Sequence, residues 1–256
     1  MNALVTGGTK GIGFAVAEAM LAAGGKVMIT GRDEGRLKSA LTALAKSCAP
    51  GAQVIGAVAD MRDREAVEAA IDKAAATFGS IDTLINNAGV GSFVSVEDMT
   101  DDAWHQVIDT NLTGVFYATR ASIPHLKRAG GGWIINIASL AGRNYFANAA
   151  AYCASKAGLV AFSEAVMLEL RNDNIRVSVV MPGSVATEFS HPAKHEDESW
   201  KLTADDIAEV VMDLLRHPSR SQAAGSATFM ALNGSIPNIL ATLFVTRCAA
   251  IEARFA

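Results

Sequence analysis

The first 24 residues have the pattern of an apolar strand, a glycine-rich turn and an apolar helix, which constrains the fold more than any other feature. The strand is predicted over 2–6 and the helix over 12–24, with Gly7, Gly11 and Gly13 at the turn. Glycine lets a backbone turn tightly and approach a ligand, and a helix N-terminus offers unpaired N–H groups to a pyrophosphate. The spacing is Gly-x-x-x-Gly-x-Gly rather than the common Gly-x-Gly-x-x-Gly, and the alternative is a simple tight loop. Its place between a first strand and a first helix favours nucleotide binding.

Strands and helices are predicted to alternate along the rest of the chain. Several strands are near-continuous apolar runs, as a parallel sheet covered on both faces requires. This alternation predicts a single-domain, doubly wound α/β fold with a parallel sheet of about seven strands. The further strands are predicted near 26–30, 53–58, 81–85, 132–138, 174–180 and 226–231, and the further helices near 34–47, 63–78, 101–128, 152–171 and 203–216.

No Pro- or Gly-rich linker divides the chain, so we assign residues 1–235 to one domain and 236–256 to a C-terminal tail of uncertain role. The tail is rather apolar, but Arg247, Glu252 and Arg254 interrupt it, so it lacks the uncharged run of a membrane span. It could cover the core of a neighbouring subunit or the mouth of a binding site.

Composition narrows the possible partners. The chain has 256 residues, half of them hydrophobic, and a formal net charge of −4, which argues against a nucleic-acid surface because phosphate binding needs clustered Lys and Arg. The three cysteines, Cys48, Cys153 and Cys248, lie far apart and match neither a disulfide framework nor a metal site. The sequence begins at its first strand, without the pattern of a signal peptide. We therefore expect a cytoplasmic protein that binds no metal, membrane or nucleic acid.

Polar residues follow most of the predicted strands, where ligands of doubly wound sheets bind. Each group alone could be ordinary turn chemistry, since Asn, Asp, Gly and Pro are the usual turn residues. Their repetition at one edge of the sheet favours a binding site there. These groups are Thr30-Gly31-Arg32-Asp33, Asp60-Met61, Asn86-Asn87-Ala88-Gly89, Ser139 and Pro182-Gly183.

Tyr152 and Lys156 stand at positions i and i+4 of a predicted helix, so their side chains share one face. A free tyrosine has a pKa of about 10, and a nearby cation is expected to lower that pKa and make the phenol a usable proton donor. Ser139, which follows an apolar strand, can hydrogen-bond the same substrate oxygen. Taken alone, the pair could be a half-buried Tyr and a solvated Lys, but the amino-terminal pattern favours a catalytic interpretation.

These motifs, in their order and spacing, resemble the short-chain dehydrogenase/reductase family in its compact branch, over Ala3 to about Gly234. The resemblance implies a Rossmann-type fold, a homodimer or homotetramer, and hydride transfer between nicotinamide C4 and a carbonyl or alcohol carbon. It implies a catalytic tetrad of Asn111, Ser139, Tyr152 and Lys156, in which Lys156 binds the nicotinamide ribose and Asn111 holds a water. The cofactor contacts would be Gly7, Thr9, Lys10, Gly11, Ile12, Gly13, Arg32, Asp60, Met61, Asn87, Ala88, Gly89, Tyr152, Lys156, Pro182, Gly183, Val185 and Thr187.

Charge at the end of the second strand bears on the choice of cofactor. Enzymes that select NAD place Asp or Glu there to bind the ribose 2′-hydroxyl, whereas this chain has Gly31, followed by Arg32, with Lys10 in the glycine turn. Two cations suit a 2′-phosphate, so we predict NADP(H) over NAD(H). The alternative makes Asp33 the ribose ligand, but this residue is better placed as the N-cap of the next helix.

The substrate is the least constrained part of the prediction. Segment 188–201 is short and polar, which predicts an open pocket that accepts varied ketones. We predict an NADPH-dependent carbonyl reductase or alcohol dehydrogenase, similar to 3-oxoacyl-thioester reductases or to broad ketone reductases. The direction of the reaction stays open. The alternative function is that of a non-catalytic NADP(H)-binding sensor or scaffold. Candidate pocket walls, each also explicable as loop packing, are Val90, Phe93, Asn144, Tyr145 and Phe189, with His191 as a further candidate.

Overall fold

A computed structural model describes residues 1–189 and 200–217, together with the backbone of 226–232 and 242–247. The strands are β1 (Asn2–Val5), β2 (Lys26–Gly31), β3 (Gln53–Val58), β4 (Thr83–Asn86), β5 (Gly132–Ile137), β6 (Ile175–Pro182), β7 (Ser226–Leu232) and β8 (Thr242–Arg247). The helices are α1 (Gly11–Ala22), α2 (Glu34–Leu44), α3 (Arg64–Phe78), α4 (Asp101–Ile108), α5 (Gly114–Arg128), α6 (Ala150–Leu170) and α7 (Ala204–Arg216). No helix within these ranges is long and apolar enough to cross a bilayer.

The strands form one sheet in the order β3-β2-β1-β4-β5-β6-β7-β8. The first seven are parallel, which confirms the predicted doubly wound sheet. The eighth strand was not predicted. It lies within 236–256 and runs antiparallel to β7, with Ser226 opposite Arg247. This segment therefore extends the edge of the sheet.

Two apolar cores lie on the two faces of the sheet. One face packs against α1, α2 and α7 through residues such as Val16, Leu37 and Ile207. The other packs against α3, α5 and α6. Adjacent strand residues enter opposite cores, as Leu4 and Val5 do in β1, because successive side chains of a strand point to opposite faces. Burial on both faces explains why the strands are apolar without alternation.

The single helix predicted over 101–128 is divided in the structure. A π-helical turn, Asp109–Thr113, separates α4 from α5. Asn111 is buried within it and hydrogen-bonds the backbone of Val90. Directly after it, Gly114 leaves no room for a side chain, because a Cβ atom there would stand 2.5 Å from the Met61 carbonyl oxygen. Such single π turns are commonly found at functional sites.

Helix α7 begins with a capping box that can be tested directly. The Thr203 hydroxyl accepts from the Asp206 N–H at 3.1 Å, and the Asp206 carboxylate accepts from the Thr203 N–H at 2.7 Å. We predict that Thr203→Ala lowers the free energy of unfolding by about 1 kcal/mol, measured by urea denaturation. The control is Thr42→Ala, at an exposed site within α2, which should leave stability equal or slightly higher. Equal effects of the two substitutions would contradict the role of the cap.

Candidate active site

The glycine-rich turn is joined by hydrogen bonds to the segment after β4. The buried Thr6 hydroxyl accepts from the N–H groups of Asn87 and Ala88 at 3.0 and 3.1 Å. The Asn87 side-chain amide donates to the carbonyl oxygens of Thr6 and Gly7 at 3.0 and 3.1 Å. The two segments predicted to contact a nucleotide therefore form one rigid unit at the carboxyl edge of the sheet.

Glycine is required at this turn for two separate reasons. Gly7 and Gly11 have φ angles of +66° and +56°, a region that side chains with a Cβ rarely adopt. Gly13 has no room for a Cβ, which would collide with the Asn87 side chain and the Gly7 carbonyl oxygen. The turn thus leads directly into the N-terminus of α1, where Ile12 is half-buried against the sheet core.

Ser139 and Tyr152 are brought together as predicted from their positions. Ser139 lies two residues after the end of β5, and its hydroxyl oxygen accepts from the Ala141 N–H at 3.1 Å. A hydrogen bond between the Ser139 and Tyr152 side chains favours the phenolate, but burial of Tyr152 has the larger effect and raises its pKa above the ordinary value. Tyr152 also packs against a small apolar cluster of Ala141, Ala149 and Cys153. At neutral pH the phenol is consequently protonated.

Lys156 lies one helical turn beyond Tyr152 and is buried. Its ammonium donates to the Ile137 carbonyl oxygen at 2.9 Å and stands 5.8 Å from the centre of the Tyr152 ring. Burial lowers the Lys156 pKa from 10.5 to about 8. The expected net lowering of the Tyr152 pKa is not found here, because desolvation raises that pKa more than the hydrogen bond from Ser139 lowers it.

Asn111 connects the π turn to both sides of the site. Its side-chain oxygen accepts from the Val90 N–H at 2.8 Å, and its amide donates to the Val90 carbonyl oxygen at 2.9 Å and to the Ser155 hydroxyl at 3.0 Å. A Cβ atom on Gly89 would lie 3.3 Å from the Asn111 oxygen and 3.7 Å from the Lys156 nitrogen. Asn111 and Lys156 of the predicted tetrad therefore flank Gly89 in the segment that follows β4.

Cationic side chains lie beside the ends of β1 and β2. Lys10 forms an ion pair with Glu188 at 2.8 Å, and both Lys10 and Arg36 lower the Glu188 pKa. Arg32 is exposed directly after β2. Arg36, which the sequence analysis did not name, stands one helical turn later. The spacing of Arg32 and Arg36 in a predicted helix start could have revealed it.

The same region leaves no place for an acidic side chain at position 31. A Cβ atom on Gly31 would stand 2.5 Å from the Thr9 methyl group. Asp33 caps α2, accepting from the Arg36 N–H at 2.7 Å, as the sequence predicted. Its carboxylate is thereby engaged by the helix terminus.

The remaining predicted cofactor residues lie along the same edge of the sheet. Asp60 forms an ion pair with Arg62 at 2.7 Å, which lowers the Asp60 pKa, and the adjacent Met61 is buried. Pro182 ends β6, and Val185 bridges to Leu202. Gly183 and Thr187 lie in the same segment after β6. The Thr187 methyl group would lie 3.4 Å from a Cβ atom on Gly11.

Aromatic rings border Tyr152 on its exposed side. The ring centres of Phe93 and Phe189 each lie 5.7 Å from that of Tyr152. In the loop before α6, Asn144 and Tyr145 are exposed, and it is Phe146 that stacks on Phe93, at 6.3 Å. Phe146 was not among the predicted pocket residues, because no periodicity defines which residue of an irregular loop contacts the site.

The last sequence features to compare with the structure are the 188–201 segment, the candidate metal ligands and the cysteines. His191 lies outside the described residues, as does most of the 188–201 segment. Within the described residues, no group of His, Cys, Asp and Glu side chains could hold a metal ion, and Cys48 and Cys153 are free thiols.

Comparison with known proteins places this site in a family. The family model described as short chain dehydrogenase matches residues 1–198. The chain belongs to the short-chain dehydrogenase/reductase family. It is therefore an oxidoreductase of the short-chain type, with a Rossmann-like fold, as the motifs indicated.

Relatives within the short-chain dehydrogenase/reductase family differ in the reactions their names describe. The chain is 37% identical to trans-4-hydroxycyclohexanecarboxylate dehydrogenase of Sinomonas cyclohexanicum, covering 83% of each. It is 36% identical to the 3-oxoacyl-[acyl-carrier-protein] reductase FabG of Chlamydia muridarum, over 73% of this chain and 75% of that protein. A short chain dehydrogenase from Burkholderia cenocepacia, solved in complex with NADP, superposes with a TM-score of 0.82 at 31% identity, covering 91% of this chain and 96% of that one.

The buried ammonium predicts a pH dependence of stability. The folded pKa of Lys156, about 8, lies below the ordinary value of 10.5, so between these values the unfolded chain binds more protons and stability rises with pH. We predict that the unfolding free energy of the wild type increases relative to that of Lys156→Met as pH rises from 8 toward 10. The raised pKa of Tyr152 makes stability fall with rising pH only above pH 10, and it does so equally in both proteins. Urea denaturation across this range measures the difference, and a constant difference would contradict the burial of a charged amine.

Proposed function

We propose that this short-chain dehydrogenase/reductase is an NADP(H)-dependent carbonyl reductase and alcohol dehydrogenase with Tyr152 as its general acid and base. The observation that carries the proposal is the hydrogen-bonded pair of Ser139 and Tyr152, next to the buried Lys156 ammonium and the glycine-rich turn. An acid, an oxygen-binding hydroxyl and a cation at the carboxyl edge of a doubly wound sheet are the groups that carbonyl reduction needs.

The residues of the site fit a nicotinamide dinucleotide. The turn at Gly7, Gly11 and Gly13 brings bare backbone to the N-terminus of α1, where a pyrophosphate is stabilised. Gly89 keeps the space between Asn111 and Lys156 free of a side chain. Lys156 has N–H groups beyond the one given to Ile137, and these suit the hydroxyls of the nicotinamide ribose. When bound, the reduced nicotinamide supplies a hydride to the carbonyl carbon.

The chain's own groups handle the oxygen and its proton. Ser139 donates a hydrogen bond to the substrate oxygen and stabilises the negative charge that develops there. Tyr152 gives its proton to that oxygen, which completes the alcohol and leaves a phenolate. The Lys156 ammonium stabilises the phenolate until a proton returns from solvent, and Asn111 holds the Val90 backbone in place beside it. Run in reverse, the phenolate removes the proton of an alcohol.

Charge supports NADP(H) over NAD(H). Lys10, Arg32 and Arg36 place three cationic groups around the ends of β1 and β2, where a ribose 2′-phosphate would lie. Gly31 is packed against Thr9, so an acidic side chain at this position would require the turn to move. The solved relative from Burkholderia cenocepacia, which has NADP bound, is consistent with this choice.

The substrate class includes ketones and 3-oxoacyl thioesters. The relatives named as 3-oxoacyl-[acyl-carrier-protein] reductase and as a cyclohexanecarboxylate dehydrogenase support carbonyl and secondary-alcohol chemistry in general. The alternative is a non-catalytic NADP(H)-binding sensor or scaffold, because a fold does not determine a function. The presence of all four tetrad residues argues against it.

We further propose that the protein acts in the cytoplasm as a homodimer or homotetramer. Phe116 on α5 and Leu168 on α6 are exposed, and helices with apolar residues on their outer faces commonly pack against a second subunit. The Arg120 guanidinium lies 4.8 Å from the Phe116 ring centre, so a cation borders the apolar surface of α5.

Replacing the phenol tests the proposed reaction. We predict that Tyr152→Phe lowers kcat for ketone reduction by at least about a hundredfold, since it removes the general acid, while the Kd for NADPH changes little. Both are measured with purified protein, by loss of reduced-nicotinamide absorbance and by fluorescence titration. Tyr117→Phe on α5 removes a hydroxyl elsewhere and should retain activity. Full activity in Tyr152→Phe would show that the acid is misassigned, and tight NADPH binding without turnover of any carbonyl by the wild type would favour the sensor.

Removing one cation tests the choice of cofactor. We predict that Arg32→Ala weakens NADPH binding by about tenfold or more, because a charge-assisted hydrogen bond is lost, and changes NADH binding little. The control is Lys46→Ala, which removes a cation at the far end of α2 and should affect neither. If Arg32→Ala weakens both dinucleotides equally, the argument for the 2′-phosphate fails.

A further inference from the structure

Three phenyl rings from separate segments form a continuous group beside Tyr152: Phe93 and Phe189 pack against the Tyr152 ring, and Phe146 stacks on Phe93. Phe93 belongs to the loop after β4, Phe146 to the loop before α6, and Phe189 to the segment after β6. We call these three residues the aromatic wall. Their exposed fractions are 47%, 53% and 43%. Half-exposed phenyl rings grouped at one place indicate a binding surface, because single exposed apolar residues are common but contiguous patches are not.

The backbone around Tyr152 is shaped to admit these rings. A Cβ atom on Gly91 would stand 2.8 Å from the Phe93 ring and 3.3 Å from the Phe189 ring. Gly91 therefore lies between the two rings that contact Tyr152 and allows both to approach. Phe146 continues the surface outward, with its ring nearly parallel to that of Phe93 at an interplanar angle of 22°.

The stretches of chain immediately around Phe93 and Phe146 contain no charged residue. No Asp, Glu, Lys, Arg or His occurs in 89–96 or in 144–149. Of the charged residues beside the wall, Arg143 pairs with Glu164 and Glu188 pairs with Lys10. Among the described residues, a carboxylate or phosphate placed against the wall would lose hydration and find the neighbouring cations Arg143 and Lys10 already paired, which is unfavourable.

We propose that the aromatic wall selects the substrate and that it takes an uncharged ketone with an aromatic ring next to the carbonyl carbon. This inference rests on the proposed function, and it narrows the substrate class of the same site. A carbonyl oxygen that receives the Tyr152 proton stands beside the wall, so the groups on its carbon pack against the phenyl rings. An aromatic group gains from ring–ring geometry beyond the area that it buries, whereas an alkyl group of equal size gains from area alone.

Matched ketones test this inference with NADPH as the reductant. Acetophenone carries a neutral aromatic ring, cyclohexyl methyl ketone replaces the ring with a saturated one, and para-acetylbenzoate adds a carboxylate. We expect kcat/KM for acetophenone to exceed that for cyclohexyl methyl ketone by about fivefold and that for para-acetylbenzoate by about a hundredfold.

Substitution of Phe146, the outermost ring of the aromatic wall, tests whether the wall causes the preference for an aromatic ketone. Phe146→Leu keeps an apolar side chain but removes the ring, and it should raise KM for acetophenone about tenfold with little change in kcat. The same variant should raise KM for butanone much less than KM for acetophenone, because butanone has no ring to pack against Phe146. Trp104→Leu on α4 is the control for loss of an exposed aromatic ring, and it should behave as the wild type.

Direct binding separates failure of the wall from failure of the reaction. Acetophenone and para-acetylbenzoate are titrated into the wild type and Phe146→Leu, both saturated with NADP⁺. One result would support the aromatic wall and contradict the proposed reaction: no ketone is reduced, but acetophenone binds better than para-acetylbenzoate and loses affinity in Phe146→Leu. If ketones are reduced but the three compounds react equally, or Phe146→Leu does not discriminate among them, the wall does not select the substrate.

Discussion

A hydrogen bond of 2.9 Å between the Lys156 ammonium and the Ile137 carbonyl oxygen ties helix α6 to the end of strand β5. Ser139 lies two residues beyond Ile137, and Tyr152 lies one helical turn before Lys156. This bond therefore holds at a constant separation the two segments that carry the proposed acid, Tyr152, and the proposed oxygen-binding hydroxyl, Ser139. Burial disfavours the charged form of the amine and so lowers the Lys156 pKa to about 8. A charge kept in such surroundings acts strongly on any charge that forms nearby.

The site has a rigid half and a variable half, and they have different physical origins. The half that would hold the dinucleotide is built from backbone and short polar side chains, with Thr6 and Asn87 joining the glycine turn to the segment after β4. The half that would meet the substrate is built from phenyl rings on loops. Loops around a constant scaffold are where specificity usually varies, which agrees with the different reactions named for relatives of similar identity.

Much of this arrangement could be predicted from the sequence, because it depends on short-range patterns. Apolar runs revealed the parallel strands, and glycine spacing revealed the turn. The cap at Asp33 followed from its place before a helix. The π turn could not be predicted, because an Asn within a helix does not reveal that its amide bonds the distant Val90 backbone. Phe146, strand β8 and the raised Tyr152 pKa depend likewise on long-range packing or burial, which periodicity does not report.

The central claim is that the Lys156 charge stabilises the Tyr152 phenolate when cofactor is bound. The most direct measurement is an ultraviolet titration of the Tyr152 phenol in wild type and Lys156→Met, both saturated with NADP⁺, with Tyr152→Phe as the blank. The account predicts that the Tyr152 pKa is lower in the wild type by at least about one unit. An equal pKa in the two proteins would contradict it.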